Sequence, residues 1–230
     1  MQKKVIVFSL GGSLIFPDQI DYSFLKKFEQ VLRNNYKNYK FVVVCGGGSL
    51  ARQYISSLQK EGKRSNKELS LAGIRATRMN AKFMMDFFGK ESNDDLPESM
   101  RKVKGELGKN KVVFCGALRY APDETSDGTA VKLANYLKTD FVNLTNVDGL
   151  YSSNPSTHKG AKFISNISWK NFESIAWKLK YKPGQHFILD QHASTLIKKH
   201  KIKSYILGKN LKNLNSLLNN KKFKGTIIQG

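Results

Sequence analysis

Two stretches of the chain hold residue types suited to handling phosphate. VIVFSLGGSLIF (5–16) and FVVVCGGGSLAR (41–52) each pass from an apolar, β-branched run into glycines, a Ser and the start of a helix. Glycine lets backbone approach a ligand closely and adopt positive φ, and a helix N-terminus adds oriented N–H donors. Two such turns in the first 52 residues suit a site for more than one phosphate, and phosphoryl transfer is the chemistry they point to first. The pair Gly11-Gly12 followed by Ser13 also reads as ordinary turn punctuation. Gly46-Gly47-Gly48 carries more weight, because three consecutive glycines are entropically costly and a close backbone approach accounts for them. Arg52 falls one turn into the following helix, where its guanidinium can fork onto a phosphate or stay solvated.

Further along, Thr125-Ser126-Asp127 opens a helix. These residues cap free N–H groups, and their hydroxyls and carboxylate also suit a place among phosphates and cations. LTNVDGLY (144–151) ends a strand in hydrogen-bonding side chains and a Gly, a composition fit for the edge of a ligand crevice. Asp190, in ILDQHA, either caps a helix or organises cations around a nucleotide. Neither a Walker A sequence nor the protein-kinase GxGxxG with its strand lysine occurs, so a phosphotransferase here belongs to neither class.

The elements that must position these residues alternate. Strands are expected at Val5–Leu10, Phe41–Cys45, Val112–Cys115, Phe141–Leu144, Ser204–Leu207 and Thr226–Gln229. Helices are expected at Tyr22–Tyr36, Ser49–Lys60, Glu68–Phe88, Asp127–Leu137, Trp169–Leu179, Gln191–His200 and Leu211–Asn219, with a loop and short helix in Ser92–Asn110. In Glu68–Phe88 the expected apolar side is Leu71, Ile74, Met79, Phe83 and Phe87, which could serve core or interface. Val147–Ile164 is a turn-rich excursion of a length often used for binding. The pattern specifies an α/β fold with a mainly parallel central sheet sandwiched by helices on both faces. It reads as one domain, with an N-terminal acceptor lobe (about 1–140) and a C-terminal donor lobe (about 141–230).

Composition narrows the class. The chain has 230 residues, with an ordinary apolar fraction of 40%. Its apolar runs are of strand length, so no membrane helix is expected, and the N-terminus enters the first strand without signal-peptide architecture, so the cytoplasm is expected. No CxxC occurs and the four His are scattered, so no metal site made by protein ligands alone is expected. Cys45 and Cys115 each end an apolar run and read as buried thiols rather than a disulfide. The net charge is +21, and residues 151–230 hold 15 lysines, no arginine and two acids, Glu173 and Asp190. A nucleic-acid-reading face would mix arginine and aromatics into the lysines, so a general Lys bias is the better account.

In order, KVIVFSLGGSLIFP, VVVCGGGSLARQYI, GIRATRMNA, TSDGTAVKLANYL, LTNVDGLYSSNP, ILDQHASTLI and GTII resemble the amino acid kinase family, on the side of its archaeal uridylate (UMP) kinases. The resemblance spans essentially the whole chain. It implies transfer of the ATP γ-phosphoryl to UMP with Mg²⁺, in a homohexamer built from dimers. Carried over by position, Gly11, Gly12 and Ser13 would cradle the transferred phosphoryl. Gly46, Gly47 and Arg52 would line the junction of the two nucleotides, with Gly46 on the UMP side. Thr125 and Ser126 would hold the UMP phosphate. Thr145, Asn146, Tyr151 and Asn154 would surround ATP. Asp127, with Gly12 and Arg52, would organise the reacting groups.

The chain departs from the family pattern at four places. Many members have Lys two residues before the first Gly pair, where this chain has Ser9; Lys162 or another lysine would then supply the cation. A ribose-binding Asp is replaced by Ser70. The acceptor loop GALRYAPDETSD (116–127) is two residues longer than GGTxPGxTTD and lacks its Pro-Gly turn. Asn154-Pro155 stands for the usual Asp-Pro. These changes leave two alternatives open: a kinase of the same family with another small acceptor, and a nucleotide-binding paralogue without catalysis.

Overall fold

A computed structural model of the chain describes residues 3–122, 124–153, 155, 157–178 and 189–230. Strand β1 (Lys4–Leu10) leads into a single helical turn, α1 (Gly12–Ile15), then α2 (Tyr22–Asn35) and β2 (Tyr39–Cys45). Helices α3 (Gly48–Glu61) and α4 (Asn66–Phe88) follow, with α5 (Met100–Lys109) leading to β3 (Val112–Cys115). Next come α6 (Ser126–Leu137), β4 (Phe141–Leu144), β5 (Leu150–Tyr151), β6 (Phe163–Ile164) and β7 (Asn166–Ile167). Helices α7 (Trp169–Lys178) and α8 (Gln191–His200) precede β8 (Ser204–Leu207), α9 (Leu211–Leu218) and β9 (Thr226–Ile228).

Among the described residues one sheet has the order β3-β2-β1-β4-β8-β9-β7. Its pairs are parallel except β8 with β9. Helices cover both faces, in agreement with the expected α/β sandwich. Strand residues alternate between faces. Ile6, Phe8 and Leu10 pack with Phe28, Phe41, Phe88 and Phe114 under α2, α4 and α9. Val7, Val42, Val113, Phe141 and Ile206 pack on the other side against α5, α6, α7 and α8. Ser9 shares the Val7 side, which brings it beneath α6. β4 pairs directly with β1, so the sheet runs unbroken across residue 140.

Three local differences from the sequence reading have physical causes. α4 begins at Asn66 rather than Glu68 because Ser65 forms a capping box with Glu68. Its buried face is also not the expected one: Ala72, Ala76, Thr77, Asn80, Ala81, Met84, Met85 and Phe88 are buried, while Met79 is 58% exposed. Small residues let α4 lie close to α3 and the sheet, so Leu71, Ile74, Phe83 and Phe87 are left half-covered at its flanks. The excursion at 147–164 carries a short antiparallel pairing, Leu150 with Ile164 and Tyr151 with Phe163. Two-residue strands have no alternation to read. Cys45 and Cys115 are buried and free; Val44, not Cys45, sits beside Cys115, so the two thiols face opposite sides of the sheet.

Candidate functional site

The carboxyl ends of the parallel strands gather the glycine turns on one edge. Gly46 N–H donates to Leu10 O at 2.9 Å, and Gly11 N–H to Leu144 O at 2.9 Å, so the turns after β1 and β2 are stitched into the sheet. Beyond the stitches the turns lie backbone on backbone. A Cβ on Gly12 would stand 2.0 Å from Gly48 N, and one on Gly46 2.6 Å from Gly12 N. Gly48 has φ +60°, and a Cβ there would meet Gly12 O at 2.4 Å. Asn80 of α4 donates to Gly46 O at 2.7 Å, and Ser49 Oγ to Phe16 O at 2.9 Å. The close approach that the three glycines signalled is thus, first of all, an approach of one turn to the other.

The seam sorts the expected phosphate contacts. The N–H groups of Gly11 and Gly46 are taken by carbonyls, so these residues join the turns to the sheet rather than supply donors. Among the described residues, the N–H groups of Gly12, Ser13, Gly47 and Gly48 have no protein acceptor. Four free donors on two facing turns form a cradle for anionic oxygens. Arg52 is exposed on α3 and makes no ion pair among the described residues.

Asp127 comes to the seam from the other side of the sheet. Thr125 caps α6, its Oγ1 accepting from Asp127 N at 3.1 Å and Gly128 N at 3.4 Å. In the first turn that follows, Asp127 is half-buried and its Oδ1 accepts a hydrogen bond from Ser9 Oγ. Asp190 caps α8, accepting from Ala193 N at 2.6 Å, and its Oδ2 accepts from Thr125 Oγ1. Each carboxylate therefore holds one hydroxyl, Asp127 that of Ser9 and Asp190 that of Thr125, and the two acids lie near enough for the Asp190 charge to act on Asp127. Burial, and then the Asp190 charge, push the Asp127 carboxyl up to about 7, while the Ser9 bond opposes the rise. No cation offsets it among the described residues, and Lys162, the expected substitute for the missing lysine, is exposed on the 150–164 hairpin.

Of the residues expected on the donor side, Thr145 and Asn146 follow β4 beside the end of β8, and Tyr151 lies in β5. Thr145 N–H donates to Leu207 O at 2.9 Å, and Thr145 Oγ1 to Asn146 Oδ1 at 3.3 Å. Tyr151 meets Phe163 edge-on, ring centroids 5.3 Å apart. Asn154 lies outside the described residues. The hairpin is tied to the last strand: Leu150 N–H donates to Thr226 Oγ1 at 2.8 Å, and Thr226 Oγ1 donates to Ile164 O at 2.6 Å. Of the residues expected on the acceptor side, Ser70 is exposed on α4, and Ser126 is half-buried beside Thr125. Glu124 accepts from Lys132 Nζ at 2.6 Å and Thr129 Oγ1 at 3.2 Å, fixing the end of the acceptor loop on α6.

Sequence reasoning placed the glycines, Thr125 and Asp127 in one site but missed the Ser9–Asp127 bond and the nearness of Asp190 to Asp127. The hydrogen-bonded pair Ser9 and Asp127 is 118 residues apart, and only the strand order brings them together. One available signal was the parity of β1, which sends Ser9 to the same face as Val7 and so to α6.

The amino acid kinase family model matches residues 4–208. The uridylate kinase of Thermococcus kodakarensis is 33% identical over 205 residues, covering 89% of this chain and 90% of that protein. The uridylate kinase of Methanococcus aeolicus is 32% identical over 226 residues, covering 97% and 98%. Among solved structures, uridylate kinase from Archaeoglobus fulgidus superposes with TM-score 0.84 at 29% identity, over 97% of this chain and 99% of that one. UMP kinase from Ureaplasma parvum, at 20% identity and TM-score 0.77 over the whole of both chains, shares the fold.

Proposed function

The chain belongs to the amino acid kinase family, and we propose that within it the protein transfers the γ-phosphoryl group of ATP to UMP, giving ADP and UDP. The similarity to uridylate kinases over nearly the whole of both chains supports the substrate pair. The observation that carries the reading to particular residues is the facing pair of glycine turns with free N–H groups. Phosphoryl transfer asks a protein for in-line positioning and compensation of charge on the equatorial oxygens, with little covalent chemistry. Gly12, Ser13, Gly47 and Gly48 supply fixed donors for those oxygens, and Gly11 and Gly46 hold the two turns in place. Arg52, without an ion pair among the described residues, closes on the phosphates at the junction.

Thr125 and Ser126, at the N-terminus of α6, hold the UMP phosphate, and Ser70 lies toward its ribose. Thr145, Asn146 and Tyr151 border ATP from the N-terminal side of the hairpin, with Asn154 completing that set. The attacking oxygen belongs to a phosphate that is largely ionised near neutral pH, so no general base is required. Asp127 therefore organises charge rather than removing a proton, and Ser9 keeps its carboxylate oriented. A half-buried carboxylate near a second one, with no cation beside it among the described residues, fits a phosphate-bound Mg²⁺. Asp127 and Asp190 are the acids that would meet the ion, with the nucleotide phosphates as its other ligands. When bound, Mg²⁺ neutralises charge on the β- and γ-oxygens. The lobe before residue 140 takes the acceptor and the lobe after it the donor.

The family resemblance also motivates a homo-oligomer in the cytoplasm. The exposed Tyr22 and Met79 with the half-covered Phe83 and Phe87, Tyr22 edge-on to Phe87 at 6.0 Å, form the apolar surface we assign to it. Among the described residues no helix is long and apolar enough to cross a membrane.

The test is ADP release with ATP and Mg²⁺ against UMP, CMP, dTMP, AMP, isopentenyl phosphate, glutamate and carbamate. Turnover selective for UMP is expected. Selective turnover on another acceptor would move the assignment within the family, and binding of ATP without any turnover would make the protein a nucleotide-binding paralogue.

A further inference from the structure

The acceptor loop departs from the family pattern in length and sequence, yet its first residues are the most firmly fixed part of it. Gly116 lies directly on the backbone of α4: a Cβ there would stand 2.6 Å from Thr77 Oγ1 and 2.7 Å from Arg78 N. Ala117 N–H donates to Thr77 Oγ1 at 3.0 Å, and that hydroxyl donates to Ile74 O at 2.7 Å. Arg78 then uses three edges of its guanidinium at once. Its Nε donates to Ala117 O at 3.2 Å, Nη2 to Leu118 O at 2.8 Å, and Nη1 pairs with Glu98 Oε1 at 2.8 Å. A planar five-donor fork is suited to two consecutive carbonyls and a carboxylate, and a lysine is not. Further out, Lys67 sits 6.0 Å from the centroid of the Tyr120 ring.

We infer that Arg78, oriented by Glu98, is a positioning residue for the acceptor: it fixes the 116–118 turn on α4 and so sets where the loop delivers Thr125 and Ser126. The same helix carries Ser70 and packs against α3, which carries Arg52. One helix thereby registers the acceptor's phosphate contacts against its ribose side. Arg78 does not act on the donor, because the 145–151 segment is anchored through β8 and Thr226 instead. The kinetic half of this inference rests on the UMP reading above; the structural half does not.

The experiment compares wild type with Arg78→Lys, Arg78→Ala and Glu98→Ala in two measurements: KM for UMP and for ATP, and the rate of chymotrypsin cleavage after Tyr120, read by mass spectrometry. Arg78→Lys should raise the KM for UMP about tenfold, leave the KM for ATP within about twofold, and speed cleavage after Tyr120 about tenfold. Glu98→Ala should do the same to a smaller extent, roughly threefold, because Arg78 keeps both carbonyls. Should Arg78→Ala fail to fold, the Lys and Glu98 variants still decide. Unchanged cleavage, or faster cleavage with an unchanged KM for UMP, would overturn the inference, as would equal rises in both KM values. If the wild type does not phosphorylate UMP, the functional reading fails, and the cleavage rate alone then decides whether Arg78 holds the loop.

Discussion

The glycine seam and the acceptor loop lie at the same edge of the sheet and are held in opposite ways. At the seam, Gly12, Gly46 and Gly48 touch through backbone atoms, with no space for any side chain. At the loop, Thr77, Arg78 and Glu98 hold one end by side-chain bonds, and Glu124 with Lys132 holds the other. Backbone contact fixes a geometry that no substitution can adjust. Side-chain contact fixes a geometry that substitutions can retune. The difference bears on one of the four departures from the family pattern: the glycines are kept, while the 116–127 loop, held at both ends by side chains, has changed.

The sharpest way to break this contrast is Gly12→Ala. The added methyl carbon would overlap Gly48 N at 2.0 Å, and backbone on both sides has nowhere to move. A loss of at least about 3 kcal/mol is expected, with thermal unfolding roughly 10 °C lower. Gly128→Ala is the control: its Cβ meets Glu124 Cγ at 3.4 Å and His192 Cδ2 at 3.6 Å, ordinary contacts inside a helix. It should leave the melting temperature unchanged or raised. Equal effects of the two substitutions would mean that the seam yields like any other packing.

Asp127 stands between the two regions, on the helix that the loop delivers but bonded to β1. Asp127→Asn should lower turnover about a hundredfold, with much less change in ATP affinity. An unchanged rate would remove its organising role. The same variant tests the carboxyl thermodynamically. In the metal-free, nucleotide-free protein burial and then the Asp190 charge push this carboxyl up to about 7 from an ordinary 3.8, so between those values the folded state should bind more protons than the unfolded one. Stability must then fall as pH rises through that window, by about 4 kcal/mol in all. Denaturant melts at several pH values should show the fall in wild type and lose it in Asp127→Asn. A pH-independent difference between the two would place the acid in a site that does not resist its charge.

The regions also differ in how far the sequence discloses them. Glycine repeats are legible because nothing but a backbone constraint justifies them, and the strands before them are legible by composition. The N-terminal ends of α6 and α8 are legible through Thr125 and Asp190, which cap them as expected. The side-chain bonds are not legible in this way. Arg78 reads as one more charge on a helix, and only the fold shows that it reaches a loop 40 residues away. The face of α4 was misread for a related reason. Large apolar residues attract the eye, but the buried face is made largely of small residues such as Ala72, Ala76 and Ala81, with Ala76 beside Gly47 at the start of α3, and Met79 is left outside. Periodicity reports which residues are apolar; it does not report how near the neighbouring helix lies.

A smaller effect sharpens the acceptor side. Ser70→Asp restores the acid expected toward the ribose, on a helix surface that is exposed and able to accept it. The KM for UMP should fall roughly threefold to tenfold, the range of one added charge-assisted hydrogen bond. The KM for ATP should not move. An unchanged KM for UMP would put the ribose away from Ser70 and leave the clamp at Arg78 as the part of α4 that matters to the acceptor.

The smallest effect belongs to the donor hairpin, where both kinds of holding occur side by side. Thr226 is fully buried and bonds both hairpin strands, to Leu150 at 2.8 Å and Ile164 at 2.6 Å. Outside it, Lys224 pairs with Asp148 at 2.5 Å, with side chains 59% and 41% exposed. Exposed pairs are screened and contribute little, whereas a buried hydroxyl with both its donor and its acceptor role filled is costly to remove. Lys224→Met should therefore change the KM for ATP by less than about twofold, and added salt should not mimic a defect in wild type. Thr226→Val, similar in shape but without the hydroxyl, should raise it severalfold, since Leu150 N–H would be left buried without an acceptor. The reverse ranking would show that the hairpin is held from its surface, and that the donor side is as open to retuning as the acceptor side.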